Sequence, residues 1–234
     1  MTLADKTILV TGAGRGIGKA LVDEALSRGA KRVYAGTRRP LTHADERVTP
    51  LTLDVTDAEQ IAAAAETVGS LDILINNAGS YGYEDLADRA GLERHLGVNL
   101  FGPIGVIQAL LPRLLESKGA IVNVLSVAAV AAVPISPAYS ISKAAAFSLT
   151  QSLRAVLAAQ GVAVHAVLPG PVDTDMVRDL DIPKASPQSV ARAILDGLTK
   201  GDDEIFPDPF SQSLAGTWNS GAVKTLERQN AMLV

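Results

Sequence analysis

The chain has 234 residues, 47% of them hydrophobic and 20% charged, the balance of a globular protein and not of a disordered one. With 21 basic and 25 acidic side chains the formal net charge is −4, which leaves no electrostatic footprint for nucleic acid. Cysteine is absent, so disulfides, thiolate metal sites and a cysteine nucleophile are excluded.

A mean hydropathy of +0.22 raises the question of a membrane span. The longest apolar stretch, Ala120 to Ile135, contains Asn123, Ser126 and Pro134. It is shorter than the roughly 18–20 apolar residues that cross a bilayer, so no membrane partner is expected. The opening residues carry Asp5 and Lys6 ahead of a strand-like run, without a basic leader and apolar segment, and cytoplasm is the expected location.

Strands are predicted at Thr7–Val10, Arg32–Ala35, Val48–Leu53, Ile73–Ile75, Ala120–Leu125, Val162–Val167 and Glu204–Phe206. Helices are predicted to start near Ile17, Ala58, Leu92, Tyr139 and Pro187. The early strands are apolar throughout, as strands covered on both faces are. The alternation of strand and helix implies an α/β fold, a doubly wound parallel sheet of Rossmann type with helices on both faces. Such sheets bind ligands beyond the carboxyl ends of their strands, so the chemistry is sought just after each one.

After the first strand comes Thr11-Gly12-Ala13-Gly14-Arg15-Gly16-Ile17-Gly18. Glycines at 12, 16 and 18 let the backbone approach a pyrophosphate, and the helix that follows directs free N–H groups at it. A glycine-rich turn between any strand and helix would look the same. After the second strand comes Gly36-Thr37-Arg38-Arg39, with no acid for a ribose 2′-hydroxyl. Arg38, with Arg15 across the loop, suits a 2′-phosphate, which favours NADP(H) over NAD(H); a pair of solvated arginines is the plain alternative. Only 11 residues separate Gly36 from Val48, so the second crossover helix is expected to be very short or missing.

Asp54 and Val55 follow the third strand, where Asp54 could accept from an adenine amino group or cap a helix, although Thr56 or Asp57 sits better for capping. Asn76-Asn77-Ala78-Gly79 follows the fourth, small enough for a flat ring to lie close, or simply a turn. Asn99 lies in a helical pattern interrupted by Gly102 and Pro103, and alone it reads as a local bend or a satisfied core amide. Ser126 ends the fifth strand, and Tyr139 and Lys143 are four apart and so share a helix face. The core stripe of that helix is predicted as Ile141, Ala145, Leu149, Leu153 and Val156, with the tyrosine and lysine turned towards the strand ends. An ammonium near a phenol favours the phenolate, which makes an acid–base catalyst, although an incidental pair on a wet face has the same spacing. The sixth strand ends in Pro169-Gly170-Pro171-Val172-Asp173-Thr174, where Thr174 could hold a carboxamide or the prolines could merely break a loop.

Together these segments resemble the short-chain dehydrogenase/reductase family over about residues 5–205. The resemblance rests on TGAGRGIG at 11–18, NNAG at 76–79, Asn99 in VNLFG, Ser126, Tyr139 with Lys143, and PGPVDT at 169–174, in family order and spacing. It implies a single dinucleotide-binding oxidoreductase domain over residues 1–234, with 207–234 a C-terminal tail. It implies that Tyr139 donates a proton to a carbonyl oxygen, or accepts one from an alcohol. Lys143 would lower the Tyr139 pKa and hold the nicotinamide ribose, and Ser126 would bond the substrate oxygen. Asn99 would hold a water that links Lys143 to solvent. Gly12, Arg15, Gly16, Ile17, Gly18, Arg38, Asp54, Val55, Asn77, Ala78, Gly79, Pro169, Gly170, Val172 and Thr174, with Tyr139 and Lys143, would contact the cofactor. Hydride transfer needs no metal, and His43, His95 and His165 have no ligand spacing.

Two departures from the family pattern bear on assembly and substrate. The end of the chain lacks the glycine-rich segment that joins many family tetramers, so a dimer through helices around 99–116 and 139–159 competes with a tetramer as the expected homo-oligomer. The segment between Thr174 and Pro187 is a short lid. Tyr81, Ala128, Val133, Ile135, Met176 and Val177 would line an apolar pocket for a small-molecule carbonyl or alcohol, unless they are ordinary packing. The leading expectation is an NADPH-dependent carbonyl reductase. An NAD-dependent alcohol dehydrogenase, a non-catalytic nucleotide sensor and a methyltransferase are its rivals.

Overall fold

The structure, a computed structural model, describes residues 2–83 and 85–233. Seven parallel strands form one sheet: β1 (Thr7–Thr11), β2 (Arg32–Thr37), β3 (Val48–Thr52), β4 (Ile73–Asn76), β5 (Ala120–Val124), β6 (Ala163–Val167) and β7 (Glu204–Ile205). Their order is β3-β2-β1-β4-β5-β6-β7, which reverses direction between β1 and β4. That switch point leaves a crevice at the carboxyl ends, the place for a ligand in open sheets of this kind.

The apolar runs of the strands are explained by a core on each face of the sheet, with a third, smaller cluster around Ala166, Phe147 and Phe206. Ile8 and Val10 of β1 belong to one cluster, together with α1 (Gly16–Ser27) and α6 (Pro187–Lys200). Leu9 belongs to the other, with α2 (Ala58–Thr67), α4 (Gly102–Ser117) and α5 (Pro137–Ala158). Ile73 and Ile75 part from Leu74 in the same way. Each fully buried side chain of this kind contributes about 1.5–3 kcal/mol relative to an exposed one. Between β2 and β3 the described chain has no helix, as the short spacing predicts. Asp57, not Thr56, caps α2 through the backbone N–H groups of Glu59 and Gln60.

The helix start predicted near Leu92 lies three residues earlier, in α3 (Arg89–Leu96), and Gly102 and Pro103 do not interrupt the helical path. Residues Gly97–Phe101 form a wide π-type turn that joins α3 to α4, and Pro103 falls in the first turn of α4, where a missing N–H is tolerated. The stretch Arg89–Ser117 has the length and hydropathy to cross a membrane. Here Val106, Ile107, Leu110 and Leu114 pack it against the sheet.

The predicted core stripe of α5 is corrected. Ile141 and Val156 are exposed, while Ser142, Lys143, Ala146, Phe147 and Thr150 are buried. Periodicity selects the most apolar face, but the inward face of α5 carries polar groups that bond to β5. Thr150 Oγ1 accepts from Asn123 Nδ2 at 2.9 Å, and Lys143 Nζ donates to the Val124 carbonyl at 3.0 Å.

The residues after Phe206 carry two helices, α7 (Pro209–Trp218) and α8 (Ala222–Asn230). Trp218 packs on Phe147 and Phe206. Lys224 of α8 is 1% exposed and pairs with Glu204 at 2.9 Å, Asp203 at 3.0 Å and Glu227 at 3.1 Å. Arg154 of α5 also pairs with Glu204 and Glu227. Buried charges persist only when paired in this way, so the network ties α8 to β7 and α5.

Candidate active site

Two sets of loops meet at the carboxyl edge of the sheet. On the first side, Gly12 has a left-handed φ of +66°, and a Cβ there would lie 2.9 Å from Ala78 Cα. At Gly18 a Cβ would lie 2.1 Å from the Gly12 carbonyl oxygen and 2.6 Å from Asn77 Nδ2. Thr11 Oγ1 accepts from the backbone N–H groups of Asn77 and Ala78, both at 3.0 Å. Asn77 Nδ2 donates in return to the carbonyls of Thr11 and Gly12, at 3.0 and 3.3 Å. The glycine loop and the NNAG segment are thus stapled together. Arg15 stands at the N-cap of α1 without a side-chain capping bond, so the first-turn N–H groups there, at Gly16, Ile17 and Gly18, have no side-chain cap. A narrow cradle ending in a helix N-terminus fits a pyrophosphate.

Thr174 packs against Gly16, and its hydroxyl donates to the Val172 carbonyl at 3.3 Å. The Pro169 carbonyl accepts from Val127 N–H at 3.0 Å. The Gly170 N–H donates to Asp208 at 2.8 Å. Asp208 is buried, caps α7 through Ser211, and so fixes the PGPVDT loop from the C-terminal side. Sequence reading missed this residue, although Asp208-Pro209-Phe210-Ser211 carries a helix-start signal.

Arg38 and Arg39 are exposed at the end of β2. Burial would push the Asp54 carboxyl up, but hydrogen bonds from the Thr56 N–H and hydroxyl, with the charge of Arg38, hold it below the usual carboxylate range. Asp54 therefore serves a local turn, and Val55 is buried against Gly102. Arg15 is engaged with Asp175 at 2.9 Å, both largely exposed. An exposed pair of this kind contributes only about 0–1 kcal/mol, so a phosphate can take Arg15 from it at little cost.

On the second side stand Ser126, Tyr139, Lys143 and Asn99. Ser126 starts a short 3-10 turn, Val127–Ala129, and accepts from the Ala128 N–H at 3.1 Å. The Ser126 hydroxyl stands near enough to the Tyr139 phenol to draw its pKa down. Lys143 Nζ lies 5.7 Å from the centre of the Tyr139 ring. Burial pushes the Tyr139 phenol up to about 12, against the pull of the Ser126 hydrogen bond, and pushes Lys143 down to about 8. The Lys143 Nζ bond goes to the Val124 carbonyl, and desolvation dominates the phenol.

Asn99 sits in the π-type turn, a feature common at functional sites. Its side chain is a clamp: Oδ1 accepts from Ser80 N–H at 2.9 Å, and Nδ2 donates to the Ser80 carbonyl and to Ser142 Oγ. Ser80 and His95 are further site residues that sequence reading missed. His95 is buried, its ring centre lies 6.2 Å from that of Tyr139, and its Nδ1 is 2.9 Å from Ser80 Oγ. Their only sequence signal is proximity to NNAG and to Asn99.

Of the predicted pocket residues, Tyr81 packs edge-on to Tyr139, with ring centres 5.0 Å apart, and to Tyr83 at 5.3 Å. Ala128 is buried and Val133 half-buried, whereas Ile135 and Met176 are exposed. Among the described residues no cluster of His, Asp or Glu could hold a metal ion.

The short chain dehydrogenase family matches residues 6–184 of this chain. The chain belongs to that family and is an oxidoreductase. An uncharacterized oxidoreductase of Staphylococcus aureus (strain MW2) is 37% identical over 216 residues, covering 85% of this chain and 93% of its own. The L-rhamnose 1-dehydrogenase (NAD(P)(+)) of Azotobacter vinelandii is 33% identical over 243 aligned positions, 95% of each chain. A short chain dehydrogenase from Burkholderia cenocepacia J2315, solved in complex with NADP, superposes with a TM-score of 0.89 at 37% identity over 98% of both chains.

Proposed function

We propose that this chain is an NADPH-dependent carbonyl reductase of a hydrophobic ketone or aldehyde, working in reverse as a dehydrogenase of the corresponding alcohol. The observation that carries the reading is the meeting of Ser126, Tyr139 and Lys143 beside a cradle for a pyrophosphate. NADPH, when bound, supplies the hydride that goes to the carbonyl carbon. Ser126 and Tyr139 bond the carbonyl oxygen, and Tyr139 gives its proton to that oxygen as the alcohol forms. The Lys143 ammonium supports the phenolate left behind. Asn99 holds the NNAG side of the cleft in place through Ser80. The Burkholderia relative's NADP and the exposed Arg38 support the choice of cofactor.

The test is NADPH oxidation monitored against a panel of aryl and aliphatic ketones, aldehydes and imines, repeated with NADH and with aldoses. Turnover of apolar carbonyls with NADPH is expected. A clear preference for NADH, or for sugars as the Azotobacter relative's name suggests, would overturn the corresponding part of the reading.

Arg38→Ala is expected to weaken NADPH binding about 10–100-fold, the loss of charged hydrogen bonds worth ~1.5–3 kcal/mol, and to leave NADH nearly unchanged. Fluorescence titration with both cofactors checks it, and equal losses would remove Arg38 from the phosphate site. We also propose a homodimer through the α4 and α5 faces, since Phe101, Ile141 and Val156 remain exposed on or beside these helices.

A further inference from the structure

A chain of side-chain amides runs from α5 through β5 to β4, and its direction is set at one end. The Thr150 hydroxyl donates to the Ala146 carbonyl at 2.7 Å, and a carbonyl can only accept. Thr150 Oγ1 must then accept from Asn123 Nδ2, at 2.9 Å. This leaves Asn123 Oδ1 facing β4, where it accepts from Asn76 Nδ2, also at 2.9 Å. The last member, Asn76 Oδ1, is buried in a residue 4% exposed and has no hydrogen-bond partner. A buried acceptor in that condition costs about 1–3 kcal/mol unless a donor reaches it.

The adjoining space supplies one. A cavity of about 10 Å³ has Asn76, Asn99, Asn123 and Lys143 among its lining residues, the rest being apolar. A site of roughly 10–15 Å³ with two or more polar partners holds one water. Lys143 Nζ carries three donors, and its bond to Val124 accounts for one. We propose that Asn76 is a positioning residue: its Oδ1 holds a buried water that accepts from Lys143 Nζ, so the Thr150–Asn123–Asn76 chain supports the ammonium from behind the active site.

The water needs an acceptor to present its lone pair to Nζ, and the amide chain commits Asn76 Nδ2 to Asn123, which leaves Oδ1 as the acceptor available to it. The titratable groups around Lys143 are Tyr139 on its own helix and, behind that ring, Tyr81 and His95. The residues lining the cavity include no carboxylate. With burial depressing Lys143 to about 8, this hydrogen-bonded support bears directly on its charge near neutral pH.

The proposal rests on the Tyr139–Lys143 chemistry for its catalytic meaning, but its test need not. A high-resolution crystal structure is expected to show a water within hydrogen-bond distance of both Asn76 Oδ1 and Lys143 Nζ. A dry cavity would overturn the proposal. The titration of Lys143 is then followed by the NMR shift of its ¹³Cε in the wild type, in Thr150→Val and in Asn76→Ala. Both substitutions remove the support of the charged form, so the midpoint should fall by about 0.5–1 pH unit. The alkaline limit of carbonyl reduction should move with it, while the KM for NADPH stays put. Thr150→Val keeps the branched shape of the side chain and lies two hydrogen bonds away from Asn76, so it serves if Asn76→Ala folds poorly. A folded Thr150→Val protein with the wild-type midpoint would show that the amide chain is only structural. Loss of the catalytic reading by itself, with the water and the titration shift intact, would leave this inference standing.

Discussion

Tyr139→Phe is expected to lower kcat for carbonyl reduction by about 10²–10⁴-fold, the range a single general acid supplies, while NADPH affinity changes little. The reason is local. The substitution deletes one hydroxyl and keeps the ring that packs against Tyr81 and His95. Ser126 would still bond the carbonyl oxygen, but no group would remain to protonate it. A thermal melt and a cofactor titration on the same sample separate loss of chemistry from loss of fold. Retention of most of the turnover would show that the proton comes from elsewhere. A pronounced loss of NADPH binding would instead assign Tyr139 to the cofactor.

Gly18→Ala is expected to damage both binding and stability. Its new methyl would stand 2.1 Å from the Gly12 carbonyl oxygen, which is backbone and cannot swing away. The same methyl would meet Asn77 Nδ2 at 2.6 Å, the group that bridges the glycine loop to the NNAG segment. Relief requires α1 to move away from β1, and overpacking of this sort costs about 1–3 kcal/mol or more. In a chain of this size that corresponds to a fall in Tm of roughly 2–12 °C. Because the displaced groups form the cradle proposed for the pyrophosphate, NADPH affinity should fall at least about tenfold, a loss of ~1.4 kcal/mol. Calorimetric melting and cofactor titration check both parts. A variant with wild-type Tm and affinity would mean that the loop and helix are not packed as closely as described.

The two substitutions probe features of different legibility. The glycine loop was readable because its reason is steric and local: backbone meeting backbone leaves no room for a side chain. Tyr139 and Lys143 were readable as a pair because a helix puts positions four apart on one face. Which way that face points was not. The α5 stripe of Ile141 and Val156 is the more apolar one, yet it is exposed. Burial of the other face depends on bonds to Asn123 and Val124, 27 and 19 residues back in the chain. Asp208 and His95 were similarly hidden, since each gains its meaning from a partner supplied by a different element.

By itself the chain determined a parallel sheet covered on both faces, the order of its loops, the missing second crossover helix and the family. These follow from short-range chemistry: apolar runs, helix periodicity and glycine placement. Only the tertiary structure decided the folding of the C-terminal residues onto the sheet through Lys224 and Glu204, the clamp of Asn99 on Ser80, and the orphan oxygen of Asn76 behind Lys143. Each of these turns on a buried polar group whose pairing, or lack of it, depends on residues distant in sequence. The cost of leaving such a group unpaired is felt only once packing has removed the water.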